Sequence, residues 1–140
     1  LGVMGFSSQA ELVDLAGLTD PRIARVPGGH LRKEFPLDYL FEERRPDVLI
    51  LRSNRPPRLE GDRLMGCHPA SAVENRILMD PRLLRDYRWG FSLEIEGMPK
   101  QAKLFFLRRD RTFPPGTVPP THRVILRRTA PPPPSREQQP

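Results

Sequence analysis

Asp14, Asp20 and His30 are the residues whose types could form a site: two carboxylates and an imidazole, close to Gly17 and Gly28-Gly29, where main chain can approach a ligand. Oxygens of this kind suit hard cations or sugar hydroxyls. Each acid also has a plain structural use. Asp20 precedes Pro21 and suits a helix N-cap, and Asp14 can satisfy a buried loop. Cys67 and His68 are adjacent, and neighbouring side chains on extended backbone point to opposite faces, so they do not make a nucleophile and base. Cys67 is the single cysteine, which excludes an intramolecular disulfide and a multi-cysteine zinc site. His122 stands in a Pro-rich stretch and is expected to be exposed. No Gly-x-Ser-x-Gly, phosphate-binding Gly-rich loop, His-Glu-x-x-His or dinucleotide fingerprint occurs, so no catalytic residue and no metal ligand is assigned.

Tyr87, Trp89 and Phe91 alternate, and in a regular strand they share one face, with Arg85, Arg88, Arg108 and Arg109 nearby in sequence. Such a face either packs a core or, rimmed by arginine, stacks on sugars or bases. Of the 23 basic residues only three are lysine. Arginine forks suit carboxylate and phosphate groups, although scattered surface arginine needs no ligand. The charge is uneven: residues 1–51 hold 6 Lys and Arg against 8 Asp and Glu, whereas residues 52–128 hold 16 against 8.

The elements that must position these groups follow from punctuation and periodicity. Gly2 to Phe6 reads as the end of a strand, and Glu11 to Ala16 as a short apolar strand. Thr19-Asp20-Pro21 starts a helix that Pro27-Gly28-Gly29 stops. Pro36 to Arg45 is the clearest helix, with Leu37, Leu40 and Phe41 on one face and Pro46 at its end. Val48 to Leu51 is a continuous apolar run that suits a strand buried on both faces. Ser53 to Gly66, rich in Arg, Pro and Gly, reads as an exposed loop. Ala72 to Met79 and the turn opened by Asp80-Pro81 are helical. Trp89 to Ile95, Lys103 to Arg108 and Arg123 to Arg128 are strands. The order predicts an α/β fold: a small, three-layer-like sheet with some parallel pairing in its first half and antiparallel strands in its second. One domain covers residues 1–128. Nine of the 18 prolines lie between Pro114 and Pro140, and residues 129–140 read as a disordered, polyproline-like tail.

The block Val13-Asp14-Leu15-Ala16-Gly17-Leu18-Thr19-Asp20-Pro21-Arg22-Ile23-Ala24-Arg25, then Gly29-His30, the Pro36 to Arg45 helix and Arg45-Pro46-Asp47-Val48-Leu49-Ile50-Leu51, resembles the soluble C-terminal domain of polytopic bacterial glycosyltransferases of the GT-C type. These include arabinofuranosyltransferase-like and lipid-linked-sugar mannosyltransferase-like members. Pro81 to Asp110, with Tyr87 and Leu104-Phe105-Phe106-Leu107-Arg108-Arg109, is similar to the closing segment of that domain. The resemblance implies a polyprenyl-phosphate sugar donor, and acidic catalytic residues on a loop near the first membrane helices, outside this segment. It implies a domain on the extracytoplasmic face of the inner membrane, attached through upstream helices and contributing glycan acceptor binding or scaffolding. Asp14, Asp20 and His30 match the motif as candidate substrate-binding positions. No cofactor is implied for this segment; a divalent cation would belong to the parent protein.

The opening Leu1, with no initiator methionine or signal-peptide pattern, reads as the start of a fragment. No apolar run here approaches the roughly 18–20 residues that span a bilayer. Two rival readings stay open: an arginine-rich module for nucleic acid or another polyanion, and an interaction domain that recruits a partner through its Pro-rich tail.

Overall fold

An Asp-Pro step opens the first helix in the computed structural model, which describes Val13, Leu15 and residues 20–29, 32–55, 57–61 and 63–127. Asp20 caps α1 (Pro21–Ala24) by accepting from the main-chain N–H groups of Arg22 and Ile23, donors that the first helical turn leaves without a partner. The expected strands at Gly2–Phe6 and Glu11–Ala16 lie outside the described residues, except that Val13 is in no regular element and Leu15 is in a turn.

The helix expected over Pro36–Arg45 is wound more loosely. Tyr39–Arg44 is a π-helical segment. Its last main-chain bond, Arg45 N–H to Leu40 C=O at 2.9 Å, spans five residues. Tyr39, Leu40 and Phe41 of this segment are buried, together with Leu37 just before it. Arg45 then turns at φ 43°, a left-handed conformation uncommon for a residue with a Cβ, and Pro46 follows.

Strand β1 (Val48–Ser53) is not buried on both faces. Leu49, Leu51 and Ser53 point inward while Val48 and Arg52 are exposed, because β1 stands at the edge of a sheet covered by helices on the Leu49–Leu51 side. The expected loop at 53–66 contains a hairpin, β2 (Arg58–Glu60) and β3 (Arg63–Met65), turning at Gly61 with φ 62°. Glycine meets that left-handed turn without steric cost. Two three-residue strands with three charged positions leave no alternation long enough to announce themselves.

Helix α2 (Ala72–Met79) is capped by Ser71, and α3 (Pro81–Asp86) by Asp80. Then come β4 (Tyr87–Ile95), β5 (Met98–Arg108) and β6 (Arg123–Leu126). The fold is α/β, with a four-stranded mixed sheet in the order β1-β5-β4-β6 and the separate β2-β3 hairpin. Parallel pairing is present, but between β4 and β6. In the first half, β1 runs antiparallel to β5.

Tyr87, Trp89 and Phe91 do not share a face. Trp89 lies opposite Phe106 and Phe91 opposite Phe105, so Gly90 is an extra residue on β4, a bulge that reverses the side-chain alternation. Tyr87 and Trp89 therefore belong to the core side with Leu49, Leu51, Leu104 and Phe106. Phe91 stacks on Phe105 on the opposite side, with ring centres 4.4 Å apart. The core forms where α1, the π-helical segment, α2 and α3 bring Ile23, Leu40, Ile77 and Leu83 onto the first of these faces. No helix among the described residues is long and apolar enough to cross a membrane.

Candidate functional site

Of the three candidate residues, Asp20 is described; Asp14 and His30 lie outside the described residues. Asp20 is buried, and both of its oxygens are occupied. Oδ1 accepts from Arg22 N–H and Ile23 N–H, each at 3.0 Å, and Oδ2 accepts from the Tyr39 hydroxyl at 3.0 Å. The Arg22 guanidinium lies 4.4 Å from the centre of the Tyr39 ring and pairs with Glu43. Burial, then the bond to Asp20, pushes the Tyr39 hydroxyl above its ordinary pKa. The bond to Glu43 likewise keeps Arg22 charged. The carboxylate is committed to holding α1 against the π-helical segment, so its first role is structural.

The Arg45-Pro46-Asp47 step is a second constellation. The Tyr87 hydroxyl donates to Pro46 C=O at 2.7 Å, and Arg108 donates to Arg45 C=O through Nη1. Asp47 pairs with Arg108 and Arg111, each at 3.1 Å, while Asp110 pairs with Arg108 at 2.6 Å and Arg45 at 3.2 Å. Its neighbour Arg108 holds the Asp110 carboxyl below the usual carboxylate range. Burial pushes the Tyr87 hydroxyl up to about 12, so it remains a hydrogen-bond donor at neutral pH. Thus Arg45-Pro46-Asp47 is clamped by the residues around the end of β5, which lie more than sixty positions away (|i−j| 63 for Arg45 and Arg108).

His122 is the residue whose setting the sequence hid. It is half-buried rather than exposed, at φ 52°, with its ring 5.7 Å from that of Trp89 in a stacked arrangement. His122 Nδ1 lies 2.7 Å from Gly90 C=O. A carbonyl only accepts, so Nδ1 carries the proton, and in the neutral ring Nε2 holds the lone pair. Trp89 Nε1 is buried and has no hydrogen-bond partner among the described residues. Beside them Arg123 of β6 pairs with buried Glu94 of β4. The proline spacing around His122 carries no trace of a contact made across thirty residues of chain (|i−j| 32).

Cys67 and His68 make no pair. Burial pushes the Cys67 thiol up to about 11, which leaves it a poor nucleophile at neutral pH, and His68 serves Ser53 and Asn54 through its main chain. Among the described residues no group of three or more His, Cys, Asp or Glu side chains comes together to hold a metal ion.

No curated protein and no solved structure matches this chain. A family model, described as a domain of unknown function, DUF8728, matches residues 1–112, which include α1 to α3 and β1 to β5. The chain therefore belongs to the DUF8728 family.

Proposed function

We propose that this chain is the soluble extracytoplasmic domain of a membrane glycosyltransferase that moves a sugar from a polyprenyl-phosphate donor, with this domain contributing acceptor binding or scaffolding while catalysis lies elsewhere in the protein. The observation that supports this reading is the clamp at Arg45-Pro46-Asp47. Residues of the two stretches that the resemblance covers, 1–52 and 73–110, meet there through Tyr87, Arg108 and Asp110. Asp20, the described acid of the motif, fits scaffolding because its oxygens hold Tyr39 and the start of α1. The polyanion reading has less support, since Arg52, Arg82, Arg108 and Arg123 are each bound to carboxylates.

Two measurements test the proposal. The complete reading frame is expected to encode several apolar helices upstream of Leu1, and a complete frame without them overturns it. Membranes carrying the whole protein are expected to transfer labelled sugar from a polyprenyl-phosphate donor, and the 140-residue chain alone is not.

A further inference from the structure

Four of the exposed large apolar side chains gather where the β2-β3 hairpin meets α2 and α3: Leu59 is 46% exposed, Met65 39%, Met79 77% and Leu84 43%. Met65, Met79 and Leu84 border an apolar groove of about 270 Å³ floored by Leu64, Leu78 and Leu83. Leu59 stands directly opposite Leu64 in the hairpin and extends the apolar surface. Isolated apolar side chains on a surface need no explanation, but a contiguous group does.

Among the described residues the charges left over around the groove are one-sided. Glu60, Asp80 and Asp86 are already held by Arg58, Arg82 and Arg85. Arg109 reaches over α3 and donates through Nε to the main-chain carbonyls of Leu84 and Tyr87, and it forms no ion pair among the described residues. Arg63, two residues before Met65 and on the same side of β3, is exposed, as is Arg55 at the entry to the hairpin. Over residues 52–88 there are eight arginines against five Asp and Glu.

The geometry points to an anionic lipid bilayer surface as the partner of this patch, with Met79, Leu84 and Met65 entering the boundary between headgroups and acyl chains and Arg55, Arg63 and Arg109 meeting lipid phosphates. A small apolar ligand is a poorer fit, because such sites enclose what they bind, whereas Met79 projects outward from the groove. A fluid partner that closes around a projecting, flexible methionine suits that shape, and basic residues beside apolar ones are the composition of surfaces that lie on membranes. This inference stands on the groove itself and does not depend on the glycosyltransferase reading.

Co-sedimentation of the whole chain with phosphatidylcholine vesicles, with and without phosphatidylglycerol, tests it. Binding is expected only when phosphatidylglycerol is present, weakening as salt is raised. Met79→Asp is expected to lower partitioning by roughly tenfold, and Arg55→Glu and Arg63→Glu by roughly fivefold each. Met79 and both arginines are exposed, and an unchanged far-ultraviolet circular dichroism spectrum confirms that each variant folds; Leu84→Glu serves as a second apolar probe. No binding to either vesicle overturns the inference, as does binding that these substitutions leave unchanged. Self-association of the chain without vesicles that Met79→Asp abolishes also overturns it, assigning the patch to a second copy.

Discussion

Glu74 closes the open edge of the sheet through Arg52. Glu74 Oε1 accepts from Arg52 N–H at 3.0 Å and from Arg52 Nε at 2.9 Å, and Oε2 accepts from the Ser71 hydroxyl at 2.6 Å. One buried carboxylate thus completes the cap of α2 and occupies a main-chain donor on the free side of β1, where an exposed edge would otherwise invite pairing with another chain. Glu74→Ala is expected to destabilise the fold by about 2–4 kcal/mol in urea denaturation, since it leaves several donors unsatisfied. Arg52→Ala should cost much less, because the guanidinium side is about half exposed (49%). Equal losses for the two would contradict this assignment.

Asp20 and Tyr39 offer a matched pair. Asp20→Ala removes a helix cap and strands the Tyr39 hydroxyl, with an expected loss of about 1–3 kcal/mol. Tyr39→Phe removes one partner and leaves the cap, with an expected loss of about 0.5–1.5 kcal/mol. In a double-mutant cycle the two changes should be less than additive, as for residues sharing a hydrogen bond. Strict additivity would show that the hydroxyl does not depend on Asp20.

A methyl group at Gly90 would crowd its neighbours. An added Cβ would sit 3.2 Å from Leu107 Cδ1 and Cγ and 3.4 Å from Phe105 C=O. Gly90→Ala is expected to cost about 1–3 kcal/mol through overpacking. Leu107→Ala alone creates a cavity, yet the double variant should be more stable than the sum of the two losses implies, because each change relieves the other.

Acid stability should carry the mark of Asp80. The Arg82 side chain holds the Asp80 carboxyl below its ordinary pKa, reinforced by the bond from Arg82 N–H. A depressed folded-state pKa contributes stability that is complete above the unfolded carboxylate value of about 3.9 and is lost as pH falls through the folded value. The urea midpoint should therefore drop as pH falls below about 4. Asp80→Asn keeps a capping side chain but loses the charge, so it should lower stability at neutral pH and flatten the acid decline. An unchanged acid limb would show that Asp80 does not contribute to it.

Asp20-Pro21 and Asp80-Pro81 could be read from sequence because capping depends on a donor two or three residues away, and the structure bears both out. The strands Trp89–Ile95 and Lys103–Arg108 were legible within β4 and β5 for a similar reason: their apolar residues lie together in the chain. Distant contacts were not legible. The loose winding at Tyr39–Arg44 uses nearly the same apolar positions as an α-helix, so Leu37, Leu40 and Phe41 cannot tell the two apart. The placement of the parallel pair depends on a strand, β6, that reaches β4 only after a long connection. The Gly90 bulge shows only in the pairing of β4 with Phe105 and Phe106 of β5, and the His122 setting depends on Trp89. In the candidate site the local reading of Asp20 as a cap holds, while its bond to Tyr39 needed the fold.

The bulge at Gly90 makes residue count along β4 a structural quantity. Tyr87 and Trp89 before it face the core, and Ser92 and Glu94 after it are also buried, although an unbroken strand would send these two pairs to opposite sides. Deleting Gly90 would pair Trp89, Phe91 and Ser92 one for one with Phe106, Phe105 and Leu104, and regular alternation would then keep Trp89 and Ser92 on the same face. The core-facing set Tyr87, Trp89, Ser92 and Glu94 thus sits on a strand that carries one residue more than its partner, and Gly90 absorbs the difference.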